Sequence, residues 1–288
     1  MKTEENKNEL MELAWNNMML TLADNLDKHT IPIYFNDEEL LKDHGTGVLI
    51  KDENSYFLVS AAHVLEIDTS DYICIPINKT TIIGLNKVAK LTPHIAKLYD
   101  RRKDKIDVAV VKLYDEKTIE QLKLSKTFLS IKSITKNHKS DSQLYNHIVF
   151  GYPNSGVDIK YHKGFTEIES EILVYPTNIS SFKKFEKYRC APENNIFLDY
   201  KTTMKRYNSG RIEKTKEPNG ISGCGLWYYD IEHLQKLGAI KYSLVGIIIE
   251  FQKKYQRVLI ATKMHWVTNL IENFNKIEKE MITEHNTR

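Results

Sequence analysis

The sequence contains few cysteines and almost no excess of either charge. Its 288 residues include 41 basic and 38 acidic side chains, and the net charge of +3 is too small to predict a nucleic-acid partner by itself. The three cysteines, Cys74, Cys190 and Cys224, are odd in number and widely spaced, so they match neither a disulfide framework nor a metal-ligand pattern. This composition predicts a reduced, cytoplasmic protein, with a leaderless route of secretion as the alternative.

Long apolar runs are lacking as well. The chain starts MKTEENKNELMELAWNNMML, where acidic residues come early and no apolar run is long enough for a signal peptide. No stretch approaches the roughly 18 apolar residues that are typical of a membrane span, so we expect no membrane association. Hydrophobic residues still make up 41% of the chain, which is enough for a folded core and argues against global disorder.

Each end of the chain has a helical pattern. From Glu5 to Lys28, leucines recur at roughly helical spacing, and neither glycine nor proline interrupts them. From Met264 to Glu280, apolar residues recur on one face. The residues of that face are Trp266, Leu270, Ile271, Phe274 and Ile277. The sequence therefore predicts an N-terminal and a C-terminal helix.

Between these helices, two series of short strand-like runs lie on either side of a polar stretch, Ser130 to Ser142. In the first series, Gly47–Ile50 and Tyr56–Ser60 are joined by a polar turn and predict a hairpin, and Ile106–Leu113 is a strongly apolar strand. The second series begins at His147. Two sets of short strands favour two β-barrels. The predicted units are an N-terminal helical extension (1–30), a first barrel (31–130), a second barrel (131–262) and a C-terminal helix with its tail (263–288).

Three segments contain candidate catalytic residues. They are SAAHVL with His63, DVAVVKL starting at Asp107, and NGISGCGL with Ser222. A serine hydroxyl is a poor nucleophile unless a base takes its proton, and a neutral imidazole suits that task near neutral pH. A buried carboxylate fixes the imidazole tautomer and stabilises the imidazolium that forms. The glycines beside the serine allow a tight turn that aims backbone N–H groups at one point.

In their order and in the strands around them, these segments resemble the trypsin-like serine peptidases, specifically their compact bacterial branch. The resemblance covers roughly residues 45–269 and implies an all-β fold of two six-stranded antiparallel barrels of the chymotrypsin type. It implies that Ser222 is the nucleophile, His63 the general base and Asp107 the residue that orients the base. The N–H groups of Gly220 and Ser222 would form the oxyanion hole. No cofactor is expected, and no metal either, because the histidines lack partners at metal-ligand spacing.

The chain departs from the family pattern beside the serine. The secreted digestive members have an aspartate there that pairs with a newly released N-terminus, whereas this chain has Ile221. We therefore expect no activation by N-terminal trimming and expect Ile221 to pack inward. Where many members have a glycine, this chain has Cys224, which we expect to be a small buried residue rather than a second nucleophile or a redox switch.

The substrate-binding residues follow from the same resemblance. The residue six positions before the serine often forms the base of the specificity pocket, and here it is Lys216, which would favour acidic side chains. An exposed loop lysine is the alternative. The substrate is expected to lie extended along Ile247 to Phe251, in contact with Ile248, Ile249 and Glu250.

The predicted function is that of a serine endopeptidase, which cleaves a protein or peptide substrate through an acyl-enzyme intermediate. A silent binding or scaffold module with the same fold and an acyl hydrolase with the same triad are the alternatives.

Because an intracellular protease must be restrained, we expect either narrow specificity or an activating or sensor protein partner, as in bacterial effector proteases of antiviral defence. We expect the helix of residues 5–28 to pack on the protein's own barrels, and docking of that partner on it is the alternative. The basic runs 101–105 and 183–189 contain acidic residues, so a solvated surface is expected there rather than a nucleic-acid site.

Overall fold

The fold consists of two curled antiparallel sheets with few helices. The computed structural model describes residues 2–37, 40–66, 73–85, 88–93, 104–138, 146–180, 186–205, 212–215, 217–230, 233, 240–253 and 257–286. Helices α1 and α4 lie at the two ends of this part of the chain, and α2 and α3 are short. The helices are α1 (Lys2–Asp27), α2 (Ala62–Leu65), α3 (Glu116–Ser125) and α4 (Met264–Asn286). Among them, none is both long enough and apolar enough to cross a membrane.

The first sheet is built from the strands between α1 and the polar stretch. These are β1 (Thr30–Asp37), β2 (Leu40–Asp52), β3 (Ser55–Ala61), β4 (Ile73–Pro76), β5 (Ile82–Gly84), β6 (Val88–Leu91), β7 (Val108–Leu113) and β8 (Leu129–Ser130). Their order is β5-β4-β1-β2-β3-β7-β6, and β8 pairs in parallel with β2. The sheet thus has eight strands where the sequence predicted six, because β5, β6 and β8 are pieces of only two to four residues.

The second sheet is built from strands that follow the polar stretch. These strands are β9 (His147–Gly151), β10 (Val157–His162), β11 (Phe165–Ser170), β12 (Leu173–Thr177), β13 (Asn195–Asp199), β14 (Thr203–Lys205), β15 (Ile212–Lys214), β16 (Gly225–Asp230), β17 (Lys241–Gln252) and β18 (Val258–Lys263). The sheet has six of them, the predicted number, in the order β12-β9-β16-β17-β18-β13. Two separate hairpins, β10-β11 and β14-β15, lie outside this sheet.

Two large apolar clusters form most of the core, and a third, of Tyr34, Cys74 and Ile168, is far smaller than either. The larger of the two joins buried residues of α1, both sheets and α4, so the sheets share one continuous interior. The smaller of the two fills the second sheet beneath the turn that contains Ser222, and it includes Ile221 and Cys224. Burial of apolar surface on this scale is the main favourable term in folding, and here it fixes the two sheets against each other.

The predicted link between the sheets packs against the second sheet. Ile134 forms a parallel bridge with Leu244, and the Thr135 N–H donates to the Leu244 carbonyl at 3.0 Å. The Lys136 carbonyl accepts from His265 N–H at 3.1 Å, which ties the link to α4.

Two histidines close to this link form a buried pair. His138 Nε2 lies 2.8 Å from His147 Nε2, and both rings pack against Tyr228. Burial lowers the pKa of both histidines, and for His147 it lowers the pKa to about 3. One Nε2 must donate and the other accept, and the lowered pKa values favour the neutral form of both rings.

Acid is expected to destabilise the fold through His147. Below the ordinary histidine pKa of 6.5, the unfolded chain binds a proton that the folded chain excludes. As the pH falls from 6.5 toward the low folded-state pKa of His147, the free energy of unfolding should therefore decrease by about 1.4 kcal/mol for each pH unit. Urea unfolding of the wild type and of His147→Phe at several pH values measures this slope. The exposed His162, replaced in the same way, is the matched control. An unchanged slope in His147→Phe would contradict the assignment.

Candidate active site

His63 lies at the end of β3, where the chain turns into α2. Its backbone is fixed by β7, because the Ala62 N–H donates to the Asp107 carbonyl at 2.8 Å. The His63 side chain is 39% exposed, so one edge of its ring borders the solvent and the opposite edge faces the protein. The pairing of β3 with β7 thus brings two residues that are 44 positions apart in sequence into direct contact.

Asp107 is the partner of this ring. Its Oδ2 accepts from His63 Nδ1 at 2.5 Å, and its Oδ1 accepts from the His63 backbone N–H at 3.1 Å. The residue is 4% exposed and has φ +32°, a left-handed conformation that aspartate tolerates better than most residues. Burial raises the pKa of Asp107, and the hydrogen bonds from His63 offset part of that rise. Because Nδ1 is engaged, Nε2 is the ring nitrogen left for proton transfer.

Ser222 lies in a tight turn that depends on two glycines. Gly220 and Gly223 have φ +83° and +87°. A Cβ on Gly223 would lie 1.9 Å from Ser60 Oγ, so no larger residue fits there. The turn is held by the Gly223 N–H, which donates to the Ile248 carbonyl at 2.7 Å, and by the Ser222 carbonyl, which accepts from the Thr46 N–H at 2.9 Å.

Two backbone N–H groups of this turn have no backbone acceptor among the described residues. Within the described residues, neither the Gly220 N–H nor the Ser222 N–H donates to a backbone carbonyl. The N–H groups of the next two residues are both engaged. Free N–H groups next to a serine hydroxyl can accept a developing negative charge on a substrate oxygen.

One pocket of about 420 Å³ brings these groups together. Its lining residues are His63, Asp104, Asp107, Pro218, Asn219, Gly220, Ser222, Ile249, Glu250 and Phe251. The three predicted triad residues therefore face one space. The sequence analysis missed Asp104, Pro218 and Asn219 as lining residues. Asn219 could have been inferred from its place beside Gly220, whereas Asp104 reaches the pocket only through the fold.

A free strand edge lies beside this pocket. β17 pairs with β16 as far as Ile247, and the Ile248 N–H donates to the Cys224 carbonyl at 2.9 Å. After an irregularity at Ile249, β17 continues as Glu250 to Gln252 and pairs only with β18 among the described strands. The opposite edge of this segment is therefore available to an extended peptide.

The predicted substrate-binding residues differ in their positions. Ile249 and Glu250 line the pocket, while the Ile248 side chain is 1% exposed and packs in the smaller core cluster. Ile248 therefore supports the site through its backbone. Glu250 forms an ion pair with Lys105 at 2.7 Å. Lys216 lies outside the described residues.

The two departures from the family pattern are packing residues, as predicted. Ile221 is 2% exposed and Cys224 is fully buried, and both belong to the smaller core cluster. Burial raises the pKa of the Cys224 thiol, which keeps it protonated and disfavours a role as nucleophile.

Across the described residues, no three His, Cys, Asp or Glu side chains are grouped so that they could hold a metal ion. Comparison of the chain with protein-family models and with curated proteins finds no match.

Proposed function

We propose that this protein is a serine endopeptidase with a chymotrypsin-like arrangement of its two sheets. The observation that carries the proposal is the hydrogen-bonded pair of His63 and Asp107, which faces the same pocket as Ser222 and its two free N–H groups. Nucleophile, base, orienting carboxylate and oxyanion donors are the four parts that acyl transfer by a serine requires.

The reaction would proceed in two steps. Ser222 Oγ attacks the substrate carbonyl while His63 Nε2 takes the hydroxyl proton, and Asp107 stabilises the resulting imidazolium. The oxyanion of the tetrahedral intermediate accepts from the N–H groups of Gly220 and Ser222. The intermediate then releases the amine, which receives the proton from His63, and leaves an acyl group on Ser222. Water, deprotonated by His63, cleaves this ester and restores the enzyme.

A peptide is the best-supported substrate because of the free edge beside the pocket. Backbone groups of residues 250–252 can pair with an extended chain, and this pairing would hold a scissile bond near Ser222. A small ester has no backbone to use that edge. We also propose that the protein works in the cytoplasm, since its three cysteines, all of them among the described residues, form no disulfide.

Active-site labelling tests the proposal. A fluorophosphonate is expected to label the wild type and not Ser222→Ala, because the probe reacts with an activated serine. A digest of a denatured-proteome peptide library should then yield new termini with the wild type only. Labelling without peptide cleavage would favour an acyl hydrolase, and no labelling of a folded protein would favour a silent binding module.

A further inference from the structure

Arg257 lies at the open end of the second sheet, behind the wall of the pocket. It directly precedes β18, and its carbonyl accepts from the Tyr200 N–H at 2.9 Å. Side chains of a strand alternate between its two faces. Leu259 and Ala261 belong to the smaller core cluster, so Arg257 lies on the same inward face.

The guanidinium of Arg257 packs beside two aromatic rings that contact each other. Its Cζ is 5.4 Å from the ring centroid of Tyr200 and 5.5 Å from that of Phe251, and the two centroids are 5.3 Å apart. Phe251 lines the pocket that contains Ser222. The positive charge therefore lies next to a residue of the pocket wall.

Two nitrogens of this guanidinium are buried without an acceptor. Nε and Nη2 of Arg257 have no hydrogen-bond partner among the described residues. An arginine is always charged, and leaving its donors buried and unpaired is costly unless a negative group satisfies them. The two cation–π contacts offset only part of that cost.

The nearby carboxylate does not supply the missing acceptor. Glu217 Oε1 accepts from Lys253 at 2.5 Å, and this hydrogen bond is the main cause of the lowered Glu217 pKa. Arg257 contributes to that lowering only as a weaker, more distant charge. The acid next to Arg257 is thus already paired with another cation.

A second unsatisfied polar atom belongs to Thr215, whose backbone pairs with the segment that follows Tyr200. Thr215 is 3% exposed, and its Oγ1 has no hydrogen-bond partner in the described part of the chain. Its N–H donates to the Thr202 carbonyl at 2.8 Å, two residues after Tyr200. A guanidinium fork and a hydroxyl are the groups that bind a carboxylate through charge-assisted hydrogen bonds.

Building on the proposed peptidase function, we propose that Arg257 is a specificity-determining residue that binds the carboxylate of a glutamate or aspartate on the acyl side of the cleaved bond. The residue whose carbonyl Ser222 attacks must lie between the two pocket walls, formed by residues 218–220 and 249–251. Phe251 belongs to the second wall and lies 5.5 Å from the guanidinium, so a substrate side chain that extends past Phe251 would meet the unpaired charge.

Matched phosphonate probes test this assignment. One peptidyl phosphonate has a glutamate side chain at the acyl position and the other has glutamine, which differs only by the charge. We expect the wild type to react between about tenfold and a hundredfold faster with the glutamate probe, the range for a hydrogen bond to a charged group. Arg257→Met should lose this preference, so that the two probes react at similar rates. Arg189→Met removes the same charge from an exposed side chain and is the control.

The possible outcomes separate this inference from the proposed function. Labelling by a simple fluorophosphonate with no glutamate preference would overturn the Arg257 assignment alone. A preference that survives in Arg257→Met and disappears in Lys216→Met would assign the specificity to the lysine instead. If the serine does not react at all, binding of N-acetyl-glutamate methylamide, compared with its glutamine counterpart by NMR, still tests the site. Equal binding of the two compounds to the folded wild type would then contradict the Arg257 assignment. The same comparison is made with Arg257→Lys as a second variant.

Discussion

Asp107→Asn is expected to lower kcat/KM for peptide hydrolysis by about 10⁴, by analogy with other enzymes that use this triad. Asp107 accepts hydrogen bonds from both the side chain and the backbone of His63. An amide in its place would present N–H groups toward Nδ1 and favour the wrong imidazole tautomer. Asparagine tolerates the positive φ of this position as well as aspartate does, so the backbone should keep its shape.

The measurement is the specificity constant on a peptide that the library digest identifies, together with thermal unfolding of each variant. Ser222→Ala and His63→Ala should each abolish nearly all turnover while the protein stays folded. The double variant should lose little more than either single one, because the residues act as one unit. Additive losses would contradict a shared proton-transfer step.

Asp104 provides the matched control for Asp107. It is the other buried carboxylate that lines the pocket, and its Oδ1 accepts from the Ile106 N–H at 2.9 Å. We expect Asp104→Asn to cause a far smaller loss than Asp107→Asn. The reverse ranking would mean that Asp104 orients the histidine, and the triad assignment would then be wrong.

The candidate triad could be predicted from the sequence because each residue lies in a short local pattern. His63 follows an apolar strand, Asp107 opens another, and Ser222 lies among glycines whose φ values require that residue type. What joins these patterns is the antiparallel pairing of β3 with β7. Only that pairing places the Asp107 carboxylate on the His63 ring.

The pocket walls could not be predicted in the same way, because they depend on strand register. The free edge of β17 exists because pairing with β16 stops and an irregularity follows at Ile249. The unpaired state of Arg257 depends on its position opposite Tyr200 and on the pairing of Glu217 with Lys253. No pattern of neighbouring residues along the chain encodes either contact.

Weakly patterned elements were missed as well. Helix α3 buries only a narrow apolar face, formed by Ile119 and Leu122, so its ten residues give a weak periodic signal. Strand β10 was missed because it is largely exposed and so lacks the clear apolar alternation that marks a half-buried strand.

Helix α1 divides into two parts with different roles. In its second half, Met19, Leu22 and Leu26 are fully buried in the larger core cluster. In its first half, Leu10 and Met11 are 66% and 62% exposed. The second half of α1 therefore packs on the core, as the sequence predicted for the whole helix.

The end of α1 also connects to the candidate active site. Asp27 accepts from the Tyr152 hydroxyl and forms an ion pair with Lys126 at 3.2 Å. The Tyr152 N–H donates to Thr46 Oγ1 at 3.1 Å, and the Thr46 N–H holds the Ser222 carbonyl. Loss of the helix would therefore loosen the turn that contains the nucleophile.

Two truncations separate these roles of α1. Deleting residues 1–28 is expected to remove most of the folding free energy, because a single buried leucine replaced by alanine already costs about 2–5 kcal/mol. Deleting residues 1–16 should leave stability nearly unchanged, since the side chains described there are largely exposed. Urea unfolding measures both, and Leu22→Ala gives the intermediate point. If the shorter deletion unfolds the protein, the division of the helix is wrong.

The same shorter deletion tests whether an activating partner docks on α1. Lysate-stimulated hydrolysis that is lost in a fully stable 1–16 deletion would support docking on the exposed half. Full activity of the purified wild type on many unrelated proteins would contradict control by a partner.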